Sequence, residues 1–191
     1  MGESIMSKWG KPIDEQANLE TLKLLFGFLS GTTLGFITGL LVMFGSMKAE
    51  ASDANNDVYC LAQNIYFESG NQPMVGKIAV SHVVMNRVES SLYPDTICDV
   101  IYDAEYRENW LGNYVPIRNR CQFSWFCDGK SDEPVDSKTW IESLLLARRI
   151  YDGEWTDITE GATHYHADYI YPFWADSLNR TTTIDNHIFY R

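Results

Sequence analysis

The chain has 191 residues, 45% of them hydrophobic and 14% aromatic. That is enough for one domain with a real core plus an appendage, and it argues against intrinsic disorder. Asp and Glu outnumber Lys and Arg by 26 to 15, a formal charge of −11, and no block of the chain is basic. This excludes a nucleic-acid binder that relies on phosphate contacts.

The first recognisable element is apolar. Between Lys23 and Lys48 stand 24 residues without a formal charge, LLFGFLSGTTLGFITGLLVMFGSM. At ~1.5 Å per residue such a run crosses a ~30 Å hydrocarbon core, so residues 24–47 are predicted to form a single transmembrane helix. Gly27, Gly31, Gly35 and Gly39 recur at every fourth position, a small-residue face that permits a membrane homodimer. Lys8, Lys11 and Lys23 precede the span and only Lys48 follows closely. That bias places residues 1–23 in the cytoplasm and the rest outside, in single-pass inner-membrane topology with a periplasmic domain. Ala49-Glu50-Ala51 offers a cleavage-like site, but the run exceeds the ~7–15 residues of an ordinary signal h-region. An uncleaved signal anchor is the favoured reading.

All four cysteines, Cys60, Cys98, Cys121 and Cys127, follow the span. An even count in an exported domain points to two disulfides. Three connectivities are open, and the preferred pairs are Cys60–Cys98 and Cys121–Cys127. Residues 48–56 are small and polar and read as a linker, leaving 57–191 as the domain. Asp57 is a candidate cap for a helix that Gly70 ends. Pro73 opens a second helix whose inward face is Val75, Ile78, Ala79, His82, Val83 and Asn86. A short helix is expected around 95–103, and loops with short pieces over 104–135. A further helix spans 136–151, with Trp140, Leu144, Ala147 and Tyr151 inward and Gly153 as its stop. Residues 162–167 and 182–191 read as strands, the latter with Ile184, Asn186, Ile188 and Tyr190 on one face and His187 and Phe189 on the other. Helices first and strands later predict an α+β domain.

Three groups of motifs follow one another in this domain. They are CLAQNIYFESGN (60–71) with GKIAVSHVVMNRV (76–88), then YPDTICDVIY (93–102) with CQFSWFCDG (121–129), then GATHYHAD (161–168), PFWA (172–175) and TIDNHIFYR (183–191). Their order resembles the SleB-type cell-wall hydrolase family, known from spore cortex-lytic enzymes and related bacterial and phage proteins, over about 57–191. The resemblance implies a compact lysozyme-like, lytic-transglycosylase-like catalytic domain that cleaves peptidoglycan between N-acetylmuramic acid and N-acetylglucosamine. It places the catalytic acid at Glu68, the glutamate of a Y-x-E motif. Two departures are visible. The family pattern E-A-R-G-E reads Glu68-Ser69-Gly70-Asn71-Gln72 here, so the downstream acid is absent, and His82 stands where a small residue is usual.

Glycosidic cleavage needs a carboxyl that stays protonated at neutral pH, which apolar surroundings supply. Tyr66 and Phe67 flank Glu68 and are expected to contribute. Gln122, Phe123, Ser124, Thr163, Tyr165, Trp174 and Asn186, with Tyr66, are the expected substrate-binding residues. No cofactor and no metal are expected, and the weak, Gly-rich span resembles the signal-arrest-release segments of phage endolysins. That fits phage lysis or envelope remodelling. Two other readings compete: a zinc amidase or peptidase using His164, His166 and His187, which Asp168 could join, and a non-catalytic wall-binding module.

Overall fold

The computed structural model describes residues 53–191. The predicted cytoplasmic segment, the span at 24–47 with its glycine face, and most of the predicted linker lie outside these residues. Among the described residues no helix is long and apolar enough to cross a membrane.

Among the described residues helix α1 covers 53–69, so the last four residues of the predicted linker, 53–56, are already helical ahead of Asp57. Asp57 therefore does not cap it. Its carboxylate instead accepts from the backbone N–H of Cys98 at 3.2 Å, at the start of α3 (Ile97–Ile101). An acid there meets unsatisfied N–H groups and the positive end of a helix dipole. The Cys60–Cys98 disulfide ties the same two helices.

Pro73 precedes α2 (Met74–Glu89). The predicted apolar stripe understates this helix. Val75 is exposed, while Lys77, Val80, Ser81, Val84 and Arg87 are buried with the predicted Ile78, Ala79, His82 and Val83. So α2 runs through the centre, with neighbours on nearly every side. One side meets α1, α3 and α4 through Leu61, Ile65, Ile101 and Leu146. On the other, Ala79 and Val83 pack on Phe189. Buried side chains of this size contribute about 1.5–3 kcal/mol each. His82 is a core residue, its ring nitrogens 2.9 Å from Ile78 O and 3.2 Å from Trp155 O.

Residues 104–135, read as loops, contain an antiparallel hairpin of β1 (Ala104–Glu108) and β2 (Tyr114–Cys121). A 3-10 turn, Ser124–Cys127, follows, and the Cys121–Cys127 disulfide closes it onto the end of β2. Helix α4 (Ser137–Tyr151) starts at Asp136, whose carboxylate accepts from Thr139 N. Its buried centre is Ser143, Leu146, Ala147 and Ile150, so the predicted Trp140, Leu144 and Tyr151 flank the core. Gly153 follows with a φ of 72°, the left-handed conformation that ends helices at low cost only for glycine.

The C-terminal sheet has the order β3-β5-β4, all antiparallel. Strand β3 is His164–Ala167, β4 is Arg180–Ile184 and β5 is His187–Tyr190. The stretch predicted as one strand is therefore a hairpin. Asp185, at φ 53°, and Asn186 make its turn. Short polar side chains tolerate such geometry, and Asn186 is removed from any strand face.

Candidate active site

Glu68 sits in the last turn of α1. Gly70 allows the chain to leave the helix there: a Cβ at that position would overlap the carbonyl oxygen of Tyr66 and reach 3.2 Å from Thr139 Cγ2. The phenolic hydroxyl of Tyr165, from β3, donates to Glu68 Oε2 at 2.9 Å. Tyr165 packs against His187 and Phe189 behind it. Burial holds the Tyr165 pKa well above its ordinary value, so it stays a hydroxyl and a donor. Burial also raises the Glu68 pKa, against opposing pulls from the Tyr165 hydrogen bond and the Arg87 charge.

Arg87 comes from the last turn of α2. It is 6% exposed. Its Nε donates to Thr163 O at 2.8 Å, and its guanidinium carbon lies 5.3 Å from the Tyr93 ring centroid and 5.2 Å from that of Phe123. One terminal nitrogen, Nη1, is buried with no partner. Burial pulls the Arg87 pKa down, yet guanidinium remains a cation in any folded protein. His164 follows Thr163. Its Nδ1 lies 3.0 Å from Thr163 Oγ1, and its ring centroid is 5.3 Å from that of Trp174. Burial, and secondarily Arg87, lowers its pKa, favouring neutral imidazole.

These groups enclose a cavity of about 310 Å³ lined by Glu68, Arg87, Cys121, Gln122, Phe123, Ser124, His164, Tyr165 and Trp174. Glu68 is the only carboxylate among them. The wall from Cys121 to Ser124 is framed by the Cys121–Cys127 disulfide. Gln122 is turned toward Asp103, whose backbone O and carboxylate accept from its N at 3.0 Å and its Nε2 at 3.3 Å.

Of the expected binding residues, Gln122, Phe123, Ser124, Tyr165 and Trp174 line the cavity with Glu68, and Tyr66, Thr163 and Asn186 do not. The Tyr66 hydroxyl accepts from the backbone of Val135 and Asp136, at 3.1 and 3.0 Å, and so holds the start of α4. Phe67 stacks on Trp125. Neither ring lines the cavity beside Glu68. Thr163 serves through its backbone oxygen and through His164. Asn186 lies in the β4–β5 turn, its backbone O accepting from Asp168 N.

The histidines do not converge. Residues paired directly across antiparallel strands share a face. His187 pairs with Ala167, and Tyr165 with Phe189, while His164 pairs with Tyr190 and His166 with Ile188. His187 thus lies on the Tyr165 face and His164 and His166 on the other. His166 is engaged by Tyr190 OH at 3.0 Å and Ala167 O at 2.8 Å. Among the described residues no His, Cys, Asp or Glu cluster is arranged to hold a metal.

Arg87 and His164 line the cavity although neither was expected as a binding residue. A cue for Arg87 exists: it stands four and eight residues after Val83 and Ala79, both fully buried, and so shares their helix face.

A family model described as Cell Wall Hydrolase matches residues 71–190. The chain belongs to the cell wall hydrolase family. Spore cortex-lytic enzymes from Oceanobacillus iheyensis and Bacillus subtilis are each 38% identical to it, over 58 and 50 residues. These stretches cover 30% and 26% of this chain and 21% and 16% of the enzymes, so the match spans about a fifth of the relatives' length. The catalytic domain of the Bacillus cereus SleB protein superposes with a TM-score of 0.52 at 26% identity, covering 71% of this chain and 90% of that one. The catalytic domain of the germination-specific lytic transglycosylase SleB from Bacillus anthracis gives the same score and identity, covering 71% and 94%. The α+β fold of this cell wall hydrolase is thus the SleB catalytic-domain fold. The family match opens just after Glu68, so the place of Glu68 in the site rests on cavity geometry. Gln72, the departure from the family acid, is not among the cavity residues.

Proposed function

We propose that this cell wall hydrolase cleaves peptidoglycan glycan strands as a lytic transglycosylase, with Glu68 as general acid and then general base. The observation that carries the reading is the lone cavity carboxylate, kept toward its protonated form by burial and oriented by Tyr165. Glycosidases that use water generally need two carboxylates at the bond. One suffices when the nucleophile belongs to the substrate.

The steps balance with Glu68 alone. The protonated Glu68 gives its proton to the glycosidic oxygen between N-acetylmuramic acid and N-acetylglucosamine, and the C1–O bond breaks. The muramoyl 6-hydroxyl then attacks C1, its proton passes to the Glu68 carboxylate, and a 1,6-anhydro ring forms. The nucleophile is already tethered, so proximity replaces an ordered water. Gln122, Ser124 and Trp174 supply polar and aromatic contacts suited to amino sugars.

Digestion of purified peptidoglycan with wild type beside Glu68→Gln, read by mass spectrometry, tests this. Muropeptides lighter by one water, absent with the variant, are expected. Released stem peptides, or an active variant, would overturn it. A wall-binding module without catalysis would have no use for a carboxyl so placed.

The same proposal includes an anchor at residues 24–47, an extracytoplasmic domain and release of the anchor during lysis. The uncharged run and the two disulfides support it. Membrane fractionation before and after collapse of the membrane potential should show release. Protein that stays bound throughout would remove that part.

A further inference from the structure

A buried arginine normally engages its donors or pairs with an acid. Arg87 does neither fully: it lines the cavity, Nη1 has no partner, and among the described residues it makes no ion pair. Its head is nevertheless fixed, by Thr163 O at one nitrogen and by the rings of Tyr93 and Phe123. A cation held this way cannot swing toward solvent.

We propose that Arg87 acts through Glu68: its clamped guanidinium is the counter-charge that holds Glu68 as a carboxylate while Glu68 serves as base. This rests on the transglycosylase reading above. Before proton donation Glu68 is neutral and, among the described residues, no acid lies within ion-pair distance of Arg87, which matches the unpartnered donor. Donation creates a carboxylate and a cationic sugar in the same small cavity. Net charge is unchanged, but the carboxylate now shares the cavity with the Arg87 cation, and opposite charges attract more strongly there than in bulk water. It survives until the 6-hydroxyl gives up its proton, and Glu68 returns to its neutral form.

The other groups bearing on the pair are few. Tyr165, from β3, donates to Glu68. His164, also from β3, has a pKa lowered by burial and by Arg87. Tyr93, after α2, and Asp103, before β1, act on Arg87. None supplies a second fixed cation.

The test uses the full chain as wild type, Arg87→Met and Arg87→Lys, with Glu68→Gln as control. The pH dependence of kcat/KM is measured, and the Glu68 carboxyl is titrated by carbon-13 NMR, its signal identified by its loss in Glu68→Gln. Removing the opposite charge that lines the same cavity should move both the alkaline limb and the titration up by about one pH unit in Arg87→Met, with kcat down roughly tenfold. Arg87→Lys retains a charge but loses the planar fork, and both should move up by less. Should Arg87→Met not fold, the Lys variant decides. Lower activity with limb and titration unmoved in the folded variants would make Arg87 merely structural and overturn the proposal. Absence of anhydro products from wild type would remove the transglycosylase reading by itself, whereas the titration reads the charge coupling without turnover.

Discussion

Tyr165→Phe removes one oxygen from the site and little else. The ring keeps its packing on His187 and Phe189, with centroids at 5.3 and 5.8 Å. The 2.9 Å hydrogen bond to Glu68 Oε2 is lost. To a charged carboxylate such a bond contributes about 1.5–3 kcal/mol, and to the neutral acid about 1 kcal/mol. Only the difference, about 0.5–2 kcal/mol, bears on passage through the carboxylate form, so kcat should fall roughly 2- to 30-fold. The ground-state loss should lower Tm by about 2–5 °C for a domain of this size. Because the lost donor favoured the charged form, the alkaline limb of the pH profile should move upward. Initial rates of peptidoglycan solubilisation, with thermal melts on the same preparations, give both numbers. An undiminished rate in a folded variant would refute the assigned role. A loss as complete as that of Glu68→Gln would mean that Tyr165 itself carries the proton.

Three further outcomes follow from the same geometry. The Glu68 pKa is raised by folding, so above the unfolded value of about 4.5 the native state binds more protons than the unfolded one, and stability falls as pH rises through the folded value. Glu68→Gln should therefore melt above wild type at pH 7–8, with the gap closing below pH ~4.5; pH-resolved calorimetry showing a constant gap would contradict this. Gly70→Ala forces a Cβ onto the Tyr66 carbonyl and should cost about 1–3 kcal/mol, with a loss of activity because Glu68 is two residues away; an unshifted melt would contradict the close approach. The disulfides should divide in effect. By loop closure, Cys60–Cys98, separated by 38 residues, is worth about 4 kcal/mol, and Cys121–Cys127, separated by 6, about 2 kcal/mol. Paired Cys→Ser variants, compared by chemical denaturation and rate, should show the first losing mainly stability and the second mainly activity.

The helices were readable where their ends carry physical punctuation: Pro73, with its fixed φ, precedes α2, and Gly153 takes the left-handed φ that follows α4. The hairpin β1–β2 was not. Its strands are largely exposed and Pro116 interrupts one of them, so no apolar alternation marks them. Its loop closes on Asn109, whose side chain accepts from Leu111 and Asn113 N, a feature that reads only as loop. The β4–β5 turn was hidden for the opposite reason. Ile184, Asn186, Ile188 and Tyr190 alternate well enough to suggest one strand, and the Asp185-Asn186 pair breaks it. Glu68, Gln122, Phe123, Ser124, Tyr165 and Trp174, expected from the motifs, line the cavity, whereas Arg87 stands inside the 76–88 motif with no role assigned to it by the sequence. Which faces of α2 are buried depends on what α1 and the sheet place against it, and no single helix encodes that. Tyr66 stands two residues from Glu68 in sequence yet outside the cavity lining, because successive helical residues point in different directions.

The central claim is that one carboxylate breaks the glycan strand without water. Digestion of purified peptidoglycan in oxygen-18 water, followed by mass spectrometry of the new chain ends, measures this most directly. The account predicts 1,6-anhydro ends with no heavy oxygen, formed by wild type and not by Glu68→Gln. Reducing ends carrying one heavy oxygen would show water to be the nucleophile, and would require a second activating group at the cavity.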